Sequence, residues 1–83
     1  MQILYFAWVR ERIGVAEERV DPPLDVRSVG ALIVWLRARG TRYAEALADN
    51  ARVRCAVNQE FASVEAAVQP GDEIAFFPPI TGG

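Results

Sequence analysis

The sequence contains no histidine, no lysine and a single cysteine, Cys55, among 83 residues. Without histidine it lacks the commonest general base and the commonest transition-metal ligand. One cysteine can neither close an internal disulfide nor hold zinc alone, so no resident metal is expected. Because every basic side chain is arginine, the chain offers no ε-amine to an isopeptide bond. Its N-terminal amine aside, it could enter such a bond only as the carboxyl donor. No apolar run approaches the roughly 20 residues of a membrane span. No basic leader precedes Met1-Gln2-Ile3-Leu4-Tyr5-Phe6, so neither a membrane partner nor a signal peptide is expected, and a cytoplasmic location follows by default. With a net charge of −2 and scattered arginines, a nucleic-acid surface is not expected either. Together these absences argue against a self-contained enzyme.

What is present suits one soluble domain: 52% of residues are apolar and 24% charged, an ordinary globular balance. A chain of this length buries roughly 60–65% of its unfolded surface, so its stability is modest. Gln2 to Val9 is almost wholly apolar and reads as a central strand, followed by a more polar strand from Val15 to Val20. Pro22-Pro23 then ends any ladder. Ser28 reads as a helix N-cap, with Val29, Leu32, Ile33 and Leu36 forming one helical stripe and Gly40 placed as a C-terminal cap. Val34 points away from that stripe, and Trp35 at its flank reads as packing. Tyr43 to Ala48 adds a short helical turn. Arg52 to Asn58 alternates, with Val53, Cys55 and Val57 on one face and Arg52, Arg54 and Ala56 on the other. A turn at Asn58-Gln59-Glu60 leads to a short strand at Phe61-Ala62, a helical turn over Ser63 to Val68, a turn at Pro70-Gly71-Asp72 and a closing strand from Glu73 to Phe77. Pro78-Pro79 stops that strand.

This order, a hairpin, one main helix and further strands, predicts an α+β β-grasp fold: a mixed sheet covered on one face by a helix. Residues 1–79 form the domain and residues 80–83 an extended tail. The phase of the strands matters for the uncovered face. If Ile3, Tyr5, Ile74 and Phe76 point toward the helix, then Leu4, Phe6, Trp8 and Phe77 point away. So many exposed apolar groups mark a partner surface. Cys55, in phase with Val53 and Val57, reads as a core residue. Glu17-Glu18 and Asp72-Glu73 read as solvated turn and edge charges, and Arg10 as either a partner contact or half of an ion pair.

The last residues carry the chemistry. Gly82 and Gly83 have no side chains, so the backbone there can thread a narrow channel, while Pro78 and Pro79 keep the approach stiff and extended. A carboxylate at Gly83 is inert until it gains a leaving group. Adenylation by ATP supplies one, and sulfur or an amine can then displace AMP. The chain provides the carboxylate and the reach; the ATP site and the sulfur source must belong to partners.

The ending Gly71-Asp72-Glu73-Ile74-Ala75-Phe76-Phe77-Pro78-Pro79-Ile80-Thr81-Gly82-Gly83 closely resembles the C-terminus of molybdopterin synthase small subunits, the MoaD-type, ubiquitin-like sulfur carriers. Phe6-Ala7-Trp8-Val9-Arg10-Glu11 and Ala56-Val57-Asn58-Gln59 match further blocks of that family, although Trp8 stands where the family is commonly polar. The resemblance implies that an E1-like enzyme adenylates Gly83 with ATP, that an upstream sulfur donor converts it to a thiocarboxylate, and that the tail then enters the large catalytic subunit of molybdopterin synthase. There it gives sulfur to cyclic pyranopterin monophosphate, building the dithiolene that holds molybdenum or tungsten. It further implies no cofactor bound by this chain, a heterotetramer of two carriers and two catalytic subunits, and docking through Phe6, Phe61 and Phe77 with Pro78, Pro79, Ile80, Thr81 and Arg10 alongside. A carrier for another pathway, such as thiamine synthesis, and a non-carrier β-grasp binding module or protein modifier are the alternatives.

Overall fold

A computed structural model describes residues 1–49 and 51–79. The expected tail, Ile80, Thr81, Gly82 and Gly83, lies outside the described residues. The elements are β1 (Gln2–Tyr5), α1 (Ala7–Ile13), β2 (Glu17–Arg19), α2 (Val29–Arg37), α3 (Thr41–Ala46), β3 (Arg54–Val57), β4 (Glu60–Ala62) and β5 (Glu73–Phe77). The strands form one five-stranded sheet in the order β2-β1-β5-β3-β4. β1 and β5 run parallel at its centre, and every other pairing is antiparallel. This is the mixed β-grasp sheet that the sequence predicts.

The first strand is shorter than expected. β1 stops at Tyr5, and residues predicted to extend it to Val9 form α1 instead. The physical reason is visible afterwards in the spacing. Val9 and Ile13 stand four residues apart, both buried, and Gly14 closes the helix in a left-handed conformation at φ 100°, its N–H donating to the Arg10 carbonyl. A continuous apolar run hides this change of period. The switch occurs at Ala7, which takes φ 52°, while Phe6 donates its N–H to the Phe76 carbonyl and so completes the ladder to β5.

In α2, Ser28 caps as predicted: its Oγ accepts from the Ala31 N–H at 3.1 Å. Val29, Leu32, Ile33 and Leu36 are all buried. The C-terminus differs from expectation, because the helix ends at Arg37 with right-handed Ala38 as its cap. Gly40 opens α3 instead, its carbonyl accepting from Ala44. The segment from Ser63 to Val68, predicted as a helical turn, lies beside the start of α2. Its Ala66 and Val64 carbonyls accept the Val29 and Gly30 N–H groups, satisfying donors that a helix N-terminus leaves unpaired. Glycine at position 30 permits this approach, since a Cβ there would stand 3.3 Å from the Val64 carbonyl oxygen.

The core fills the space between the sheet and the three helices. Ile3, Tyr5, Ile74 and Phe76 enter it from the central strands and the α2 stripe from above. Tyr5 and Phe76 stack with ring centroids 6.2 Å apart.

Candidate functional site

The face of the sheet away from the helices follows from register. Residues directly opposite across a ladder share a face, and Leu4 pairs with Ala75, Ala75 with Ala56, and Ala56 with Phe61. These form an apolar band across four strands. Toward the end where β5 leaves the sheet, Phe77 pairs with Arg54, and Phe6 lies beside β5 through its hydrogen bond to Phe76. Toward the other end, Gln2 pairs with Arg19 and Glu73. The open face thus grades from polar at one end to aromatic at the end from which the chain continues.

Phe61 and Phe77 sit on strands flanking β3, yet their rings meet with centroids 5.9 Å apart. Strands are spaced about 4.8 Å apart, so the two rings reach toward each other over β3. They can do so because Ala56 lies beneath them, and it is only 8% exposed. Phe61 remains 84% exposed and Phe6 48%. Phe77 and the following Pro78 and Pro79 are half-buried. Beside the two rings is a depression of about 530 Å³ lined by Arg54, Cys55, Phe61, Ala62, Ser63 and Phe77. The outward parity expected for Leu4, Phe6 and Phe77 matches this arrangement. It fails for Trp8, which lies on α1 and packs partly against the core, with the Arg52 guanidinium 5.4 Å from its ring.

The other singled-out residues fall into place around this face. Cys55 is buried, and that burial pushes its thiol up to about 11, so it stays protonated and a poor nucleophile. Arg10 is exposed and lies 3.9 Å from Glu11. Trp35 packs against the core and stacks with Arg39 at 5.3 Å.

Glu18 and Asp72 are not the solvated charges that the sequence suggests. The Glu18 carboxylate accepts from the Tyr5 and Tyr43 hydroxyls, each at 2.8 Å, and from Arg39 at 3.0 Å. Burial alone would raise its pKa, but the bonds from Tyr43, Tyr5 and Arg39 outweigh it and hold the group below the ordinary glutamate value. Burial raises the Tyr5 and Tyr43 pKa values, and the bonds to Glu18 add to this. Asp72 is buried and accepts from the Asn58 side chain and the Gln69 N–H. Asn58, in a left-handed turn conformation at φ 51°, also accepts from the Glu73 N–H. This clasp fixes the start of β5 against the β3–β4 turn. Each acid is adjacent to an exposed or half-buried one, Glu17 or Glu73, and only tertiary packing distinguishes the members of each pair.

The open face brings together Phe61, Phe77 and, at its edge, Phe6; Arg10 stands apart on α1. Arg54 and Ala56 complete the site beyond the residues expected for it; their shared alternation with Arg52 is the signal of their face in the sequence. Among the described residues, no three His, Cys, Asp or Glu side chains converge as metal ligands would, and no helix is long and apolar enough to cross a membrane.

The likeness to known proteins is full-length. The pattern of the ThiS family matches residues 3–83. The molybdopterin synthase sulfur carrier subunit of Haemophilus influenzae is 40% identical over 83 residues, spanning 100% of this chain and 99% of that protein. Among solved structures, a putative molybdopterin converting factor, subunit 1, from Pyrococcus furiosus superposes with a TM-score of 0.77 at 26% identity, over 95% of each chain. SAMP1 from Haloferax volcanii gives 0.75 at 28% identity, over 100% of this chain and 98% of that one. With its β-grasp sheet, its aromatic open face and this end-to-end match, the chain belongs to the ThiS family, alongside molybdopterin synthase sulfur carrier subunits.

Proposed function

We propose that this protein is the sulfur carrier of a molybdopterin synthase, with the Gly83 carboxylate as its working group. The supporting observation is the 40% identity, over 100% of this chain and 99% of the other, to a relative of that name. The fold adds a reason of its own: the aromatic end of the open face is the end from which β5 continues toward Gly82 and Gly83. A partner seated on Phe6, Phe61 and Phe77 would receive the following residues directly, with Pro78, Pro79, Ile80 and Thr81 as the lead and Arg10 at the periphery.

In this reading an E1-like enzyme binds the carrier and ATP. A carboxylate oxygen of Gly83 attacks the α-phosphorus, and pyrophosphate leaves. Sulfide released by an upstream donor then attacks the acyl carbon and AMP departs, leaving a thiocarboxylate. Inside the large catalytic subunit this sulfur passes to cyclic pyranopterin monophosphate, and water restores the carboxylate. The carrier itself positions, exposes and releases one acyl group.

Intact-mass measurement on protein made together with its activating enzyme and a sulfur donor tests this. The carrier is expected to gain the mass difference between sulfur and oxygen, and a variant lacking Gly83 to fold normally without gaining it. Delivery of sulfur to a thiazole synthase and not to a molybdopterin synthase large subunit would replace this reading with a thiamine-type carrier. The likeness to SAMP1 favours one further reading, a protein modifier, which predicts conjugates of this chain on other proteins.

A further inference from the structure

The tail-end row of the open face carries a charge that the docking reading leaves unexplained. Arg54 is directly opposite Phe77 in the β3–β5 ladder, is exposed, and lines the depression with Phe61 and Phe77. Other arginines are held within the molecule: Arg10, Arg12 and Arg39 by carboxylates, Arg27 by the Leu24 carbonyl and Arg52 by the Trp8 ring. Among the described residues Arg54 has no such partner. Arg19, Arg37 and Arg42 have none either, but Arg37 and Arg42 lie on α2 and α3 and Arg19 pairs with Gln2 at the polar end. Arg54 is the one of them that stands in the aromatic row. The remaining charges of this face, Glu17, Arg19 and Glu73, lie on β2 or toward the polar end.

A partner that covers Phe61 and Phe77 must also cover Arg54 and strip water from it. A guanidinium desolvated without a counter-charge is penalised heavily, and a carboxylate meets its fork with two parallel hydrogen bonds. Arginine beside aromatic groups is also the composition of interface hot spots. We propose that Arg54 is a specificity-determining residue of the docking face, pairing with a carboxylate on the apolar docking surface of the molybdopterin synthase large subunit. This rests on the carrier reading above and adds the partner's required chemistry: an acidic residue beside an apolar patch. A partner surface lacking that acid is disfavoured even where its shape fits.

The test measures binding of the full-length carrier to the purified cognate large subunit at several salt concentrations, for the native chain and for R54A, R54E, R54L and F77A. Thermal melts verify folding, and exposure of Arg54 means that none of its variants should melt appreciably lower. R54A is expected to weaken binding about tenfold and to flatten its salt dependence, with R54E weaker still. Native affinity and native salt dependence in R54A, alongside weakened binding by F77A, would overturn the role of Arg54 while leaving the docking face intact. Native affinity in R54L would overturn it too, because the aliphatic stem would then suffice. Native affinity in both R54A and F77A would remove the docking face itself, and with it the carrier's mode of engagement.

Discussion

Phe76 and Phe77 are chain neighbours with opposite surroundings. Phe76 is wholly buried against Tyr5 under the helices, whereas Phe77 lies half-exposed on the open side, where its ring meets that of Phe61. The same strand therefore serves stability with one side and recognition with the other. The division follows from the two-residue period of a strand alone. The difference teaches that aromatic content says little by itself; phase decides whether a ring holds the molecule together or awaits a partner.

The sharpest way to break this comparison is to truncate each ring in turn. Phe76→Ala should cost about 3–5 kcal/mol of folding stability, measured by chemical denaturation. A loss as small as that of Phe77→Ala would erase the distinction between the two faces. Phe77→Ala should instead weaken docking to the large subunit by about 2 kcal/mol or more, with little change in melting temperature. A lowered melt with unchanged affinity would move Phe77 into the core. Next in size, Glu18→Ala should cost about 1–3 kcal/mol, because it strands the Tyr5 and Tyr43 hydroxyls. Glu17→Ala, one residue away and exposed, should change stability little.

Smaller effects concern pH. The folded-state pKa of Glu18 is depressed, so its contribution is present above the ordinary glutamate value and is lost as pH falls through its own lower value. Thermal melts across the acid range should show this decline in the native protein and a shallower one in E18Q. On the alkaline side the sign reverses. The Cys55 thiol is raised from 9.0 to about 11, so the stability linked to keeping it neutral is complete below about pH 9 and fades as pH rises through about 11. Tyr5, also raised, acts in the same direction, and Cys55→Ala should retain the tyrosine part of the decline.

Much of the fold was legible because its signals are local. The closing strand runs from Glu73 to Phe77 as the alternation and the flanking Gly71 and Pro78 predict, and Ser28 caps α2 because its hydroxyl needs only the backbone three residues on. The open face was legible through phase. What escaped was non-local or masked by composition. α1 was hidden inside an apolar run whose period changes at Ala7. The Glu18 carboxylate draws its partners from up to 25 positions away, and no pattern along the chain distinguishes Glu18 from Glu17. Gly40 reads as a stop from the sequence because a glycine after a helix suits either a C-cap or the start of the next helix; here it begins α3.

The place of β5 in the sheet has a mechanical consequence. It is hydrogen-bonded along both flanks, to β1 on one side and β3 on the other. Any force drawing on the chain beyond Phe77 along the strand axis loads two ladders in shear, so their bonds resist together instead of opening one at a time. An edge strand such as β4, peeled outward, would yield like a zip. A catalytic machine could therefore grip and tug the chain beyond Phe77 without unravelling the body to which it is attached.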